Sequence, residues 1–88
     1  MSGEFGEVHP ADDKARELIA AHKSEITAQL GQALDHFEVV DYKTQIVAGK
    51  LYIIRLKVND GKVWEVKIVQ NLKAYGGGTS LLEVCAAN

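Results

Sequence analysis

Two periodicities divide the chain. Between Asp12 and Leu34 apolar residues recur at helical spacing, at Ala15, Leu18, Ile19, Ile26, Leu30 and Ala33, and His22 shares their face. Lys14, Glu17, Glu25 and Gln32 fall elsewhere around the cylinder. This spacing predicts one long amphipathic helix. Asp12 is placed to cap its first turn, and Asp12 and Asp13 put negative charge where the helix dipole favours it. Gly31 marks its end. From Phe37 the period becomes two. Phe37-Glu38-Val39 opens a strand, which Val40, Tyr42 and Thr44 continue on the other face. Leu51 to Val58 predicts a second strand, with Tyr52, Ile54, Leu56 and Val58 on one face and Arg55 and Lys57 on the other. Asn59-Asp60-Gly61-Lys62 has the composition of a hairpin turn, because Asp-Gly supplies the positive φ that tight turns need. Val63 to Val69 predicts a third strand, with Trp64, Val66 and Ile68 opposite Glu65 and Lys67. The stretch 71–80, with Gly76-Gly77-Gly78, reads as a loop, and Leu81 to Cys85 as a last short strand.

The sum is an α+β fold, an antiparallel sheet of four to five strands wrapped across one long helix. Four strands are the main ones. Residues 1–88 form a single domain. Residues 1–10 lack periodicity, carry Gly3 and Gly6, and read as a flexible N-terminal arm closed by Pro10.

Composition changes little in this picture. The chain is 47% hydrophobic and 25% charged, which is ordinary for a globular domain and argues against disorder. Ten basic and twelve acidic side chains are interspersed, with no basic stripe for a phosphate backbone, so nucleic acid is not an expected partner. Apolar runs are a few residues long, so no membrane span is expected. Met1 to Pro10 is polar and acidic and does not resemble a secretory signal. The single cysteine, Cys85, cannot form an internal disulfide, and a reducing, cytoplasmic location is expected.

Candidate chemistry is sparse. Cys85 falls in an apolar strand and reads as a small hydrophobe rather than a thiolate nucleophile. His9, His22 and His36 lack metal-ligand spacing. His22 reads as a partly buried helix residue and His36 as a helix-end residue. Gly76-Gly77-Gly78 lacks the following lysine and helix of a nucleotide loop. No catalytic residue, metal site or cofactor is expected. What stands out is Ile46-Val47-Ala48-Gly49, an apolar stretch where two strands should be joined by a polar turn. It reads either as a loop tip that buries itself in another protein, or as a bulged continuous strand kinked at Gly49.

Gln45-Ile46-Val47-Ala48-Gly49 closely resembles the Gln-Val-Val-Ala-Gly signature of the cystatin superfamily. The preceding Val40-Asp41-Tyr42-Lys43-Thr44 is similar to the stefin, or type 1 cystatin, version of that strand. The likeness continues without a gap through Tyr52, Asp60, Lys62, Lys67 and Leu72. Gly3 stands at the stefin distance before Pro10, so the resemblance covers residues 3–72. It implies a reversible, noncovalent inhibitor of papain-like cysteine proteases of the cathepsin type. In that family an arm and two hairpin loops enter the active-site cleft together. By position, Gly3 would occupy the non-primed subsites. Gln45, Ile46, Val47, Ala48 and Gly49 would sit at the catalytic centre, and Leu72 with Lys73 would form the second loop. Lys73 stands where stefins carry proline. The resemblance also implies an active monomer, and a domain-swapped dimer if Val47-Ala48-Gly49 straightens. The alternative is a noninhibitory protein-interaction module on the same fold, because fold does not fix function.

Overall fold

Asp12 begins the helical segment as its N-cap. Its backbone is extended, at φ −142° and ψ 177°, and its carboxylate accepts the Ala15 N–H at 3.0 Å. The protein is described here by a computed structural model, over residues 8–34 and 36–87. In place of one long helix there are two short ones in line, α1 (Asp13–Ala21) and α2 (Lys23–Leu30). The break is His22, at φ −114° and ψ 18°. Its N–H turns to the Ile19 carbonyl at 3.2 Å, a tighter turn than the α-helix, while its own carbonyl still accepts the Ile26 N–H at 2.9 Å. Gly31 ends α2 in the left-handed region at φ +74°, and its N–H closes on the Thr27 carbonyl. The helical segment thus stops before Ala33, which the periodicity had included.

The sheet has five strands, β1 (His9–Pro10), β2 (Glu38–Val47), β3 (Gly49–Lys57), β4 (Val63–Asn71) and β5 (Thr79–Ala86), and the last four follow the alternation. They pair in sequence order, each antiparallel to the next. The arm supplies the short fifth strand. Ala15, Leu18, Ile19, Ile26 and Leu34 pack against Tyr52, Ile54, Leu56 and Val58 of β3 and its outgoing turn, and against Val66 and Ile68 of β4. Burying each such aliphatic side chain contributes about 1.5–3 kcal/mol, so the core is carried by the two central strands and the helices.

One face assignment is corrected. Val39 and Tyr42 are both in the core, although an unbroken strand would put them on opposite faces. A bulge in the pairing between Val39 and Asp41 adds one residue, Val40, which is exposed, and so returns Tyr42 to the inner face. The outer face is charged. Arg55 forks onto the Asp41 carboxylate, and Lys67 reaches Glu83 at 2.9 Å. The Asp41 carboxyl is held below its usual range, chiefly by the Arg55 hydrogen bond. Such solvated pairs add little to stability.

Candidate functional site

Register decides which residues share the rim of the sheet. β2 runs through Val47 and β3 begins at Gly49, with the two residues paired directly, so the chain reverses over Ala48 alone. The stretch that the pattern marked as a broad interruption is therefore mostly strand, and it is a hairpin rather than a continuous bulged strand. At its end Ile46 is 75% exposed, Val47 is 44% exposed, and Ala48 is exposed between strands. Gln45 and Gly49 are half-buried.

Gly49 cannot be replaced locally. Its φ is +122°, and a Cβ built there would overlap the Gln70 carbonyl oxygen and press on the Asn71 Cα. A residue without a Cβ lets β3 approach β4 at the tip, which fixes the first loop against its neighbour.

The same pairing sets the second loop. Gly49 lies opposite Asn71, and Leu72 follows it at once, 46% exposed, on the same rim as Ile46 and Val47. Lys73–Tyr75 makes one 3₁₀ turn. The loop then closes on itself: Gly76 N–H donates to the Lys73 carbonyl and Gly77 N–H to the Leu72 carbonyl, both at 3.0 Å. Asn71 N–H donates to the Gly78 carbonyl at 2.9 Å, and the Asn71 side-chain amide reaches the Ser80 hydroxyl. Lys73 is exposed.

β1 lies along β2 on the way to this rim. His9 pairs with Tyr42 and Pro10 with Asp41, so the antiparallel count carries Val8 toward Lys43 and the first loop. Gly3 lies outside the described residues. The root of the arm is held by an aromatic relay that the sequence did not reveal. The His9 ring stacks on Tyr42 at 5.0 Å, Tyr42 tilts against Tyr52 at 5.8 Å, and the Lys50 ammonium lies 5.4 Å from the Tyr52 ring. The Tyr42 hydroxyl donates to the second Asp12 carboxylate oxygen at 2.7 Å. Asp12 is therefore held below its usual range, first by the Ala15 N–H and then by this hydroxyl. The hydrogen bond to Asp12 in turn raises the Tyr42 phenol to about 12, with burial and then the Asp12 charge adding to the effect. No short-range sequence signal connects Asp12 to Tyr42, because the contact needs the arm, helix and β2 in place together.

The residues discounted as chemistry fall apart in space. Cys85 is half-buried on β5 opposite Glu65. His22 is buried and engaged with Glu25 and Thr79, His9 is stacked at the arm root, and the exposed His36 donates its backbone N–H to the Asn59 side-chain oxygen. No group of three potential metal ligands occurs among the described residues. What converges is apolar: Ile46, Val47 and Leu72 on one rim. An arrangement of this kind binds by shape and by excluding water.

Residues 3–79 match the family described as Cystatin domain. Cystatin-A of Felis catus is 28% identical, over 92% of this chain and 83% of that protein. Cystatin-A of Homo sapiens is 30% identical, over 82% of this chain and 74% of that protein. Cystatin-A1 of Dictyostelium discoideum is 40% identical over a shorter region, 69% of this chain and 63% of that protein. The family match takes in the helical segment, both loops and the arm residue Gly3.

Proposed function

The chain belongs to the cystatin family, and we propose that it is a reversible, noncovalent inhibitor that blocks the active-site cleft of papain-like cysteine proteases. One observation carries the reading: Ile46, Val47 and Leu72, from two loops distant in sequence, are exposed side by side on one rim whose geometry is pinned at Gly49.

In this reading the rim enters the cleft as a wedge. Val47 and Ala48 are small and apolar and fit a narrow groove. They displace water from around the protease thiolate without offering it an extended, cleavable peptide, because the chain has already turned back into β3. Gln45 and Gly49 hold the tip, and Leu72 with Lys73 covers the primed side. The arm would supply the non-primed contacts. A rigid hairpin loses little freedom on binding, so the first loop would carry high net affinity per contact.

The active species is proposed to be the monomer. If Val47-Ala48-Gly49 straightened, β2 and β3 would become one strand, and an exchanged dimer would lose the first loop. The single cysteine supports the cytoplasm as the proposed location. Among the described residues, no helix is long and apolar enough to cross a membrane.

Papain assays with Gly3→Arg and Val47→Asp variants test the wedge. Both are expected to weaken inhibition while the melting temperature stays within a few degrees of the parent. Full inhibition by both variants would remove the arm and the first loop from the contact.

A further inference from the structure

We infer that His22 is a positioning residue for the second loop, which it holds in place through Thr79. The consequence for protease binding rests on the function proposed above. His22 is the one buried polar or charged side chain among the described residues, at 8% exposure. Nδ1 lies 2.7 Å from the Glu25 carboxylate, and Nε2 lies 2.8 Å from the Thr79 hydroxyl, 57 residues away in sequence. With the proton on Nδ1, the ring donates to Glu25 and accepts from Thr79, so both nitrogens are satisfied. A polar ring buried without such partners would destabilise the fold, and here one of its two bonds leaves the helix altogether.

The place it reaches matters. Thr79 is the first residue of β5 and directly follows Gly78, whose carbonyl closes the second loop on Asn71. Inside the loop the backbone closes only on itself, Gly76 N–H on the Lys73 carbonyl and Gly77 N–H on the Leu72 carbonyl. Gly76, Gly77 and Gly78 all have positive φ, and a Cβ at any of them would meet nothing within 4 Å. A glycine run in open space has the largest conformational freedom of any backbone. Its entry is fixed at Asn71, opposite Gly49, and its exit is fixed at Thr79, opposite Gln70 and tied to the helical segment by His22. Leu72 sits between these two anchors. The break between α1 and α2 falls at the residue that makes the tie.

Thr79 is half-buried, so the tie can be cut there without opening the core. Amide hydrogen exchange on the free protein reads the loop directly. Thr79→Val is expected to speed exchange at Asn71, Gly76 and Gly77 by about tenfold, the effect of losing one partly buried hydrogen bond, while Thr79→Ser retains the parent rates. In a His22→Gln background, Thr79→Val is expected to add nothing. Unchanged exchange in Thr79→Val, or a full added effect in the His22→Gln background, would overturn the assignment. Papain dissociation then tests the consequence. Thr79→Val is expected to release papain several-fold faster than the parent, and no faster than Leu72→Ala when built into that variant. Independent, additive effects would show that the tie does not act through Leu72. A parent chain that does not inhibit papain would remove the proposed function and leave the exchange result to decide the tie.

Discussion

The two loops of the rim lie side by side and are held in opposite ways. The first reverses over one residue between two long strands, and its glycine is enforced by packing: a Cβ at Gly49 would overlap the Gln70 carbonyl oxygen. The second spans Leu72 to Gly78, and its glycines are required by conformation alone, with open space where each Cβ would be. One loop is fixed along its length by the sheet, whereas the other is fixed at its ends and held between them by its own turn bonds. On the proposed function, the first loop sets the depth of the wedge and the second adjusts to the wall it meets.

The largest effect should come from Gly49→Ala. The new Cβ must displace β4 or distort a backbone at φ +122°, so a loss of about 2–4 kcal/mol in stability and of about 100-fold or more in papain inhibition is expected. Denaturant unfolding and an inhibition assay measure the two together, and a parent-like result in both would make the loops equivalent. Leu72→Ala should weaken inhibition by about tenfold with unfolding unchanged, because the side chain is exposed and acts only in the complex.

The arm root offers a test independent of any protease. Because Tyr42 is raised to about 12 in the folded chain, it stays protonated while an unfolded tyrosine, at its ordinary value of 10.0, ionises. Its contribution is complete below pH 10 and is lost as the pH climbs toward 12. Stability should fall there by up to about 1.4 kcal/mol per pH unit, and Tyr42→Phe should flatten that slope in alkaline unfolding curves. Asp12 and Asp41 act in the opposite direction: both are lowered, so their contributions fade as acid protonates them below the usual carboxylate range. Smaller still is Gly77→Ala, which meets no atom and pays only for a left-handed backbone, about 1–2 kcal/mol. Lys73→Pro should tighten inhibition by about two- to fivefold. Leu72, at φ −66° and ψ 148°, already has the backbone that precedes a proline, so the change removes freedom without strain.

Much of the fold was legible in the residues because local rules and global packing agree. Asp12 caps, Gly31 terminates, Asp60-Gly61 turns, and the alternation from Tyr52 to Ile68 faces the core as its period requires. The departures sit where a distant residue decides the local conformation. The helix breaks at His22, whose ring binds Thr79 across the molecule, and no helical periodicity registers such a tie. Val40 bulges so that both Val39 and Tyr42 can be buried, which strict alternation forbids. At the site, the Gln45–Gly49 signature and Leu72 were readable in order along the chain. Their meeting on one rim was not, because it depends on the Gly49–Asn71 register, and the Asp12–Tyr42–His9 root was invisible for the same reason.

The central claim is that this rim occupies a protease active site, and titration of papain with the purified chain tests it most directly. The account predicts that activity falls linearly to zero at one chain per active enzyme, and that a bound chain shields the catalytic thiol from alkylation. Full papain activity at micromolar chain, or a thiol that alkylates at the free rate in the complex, would contradict it.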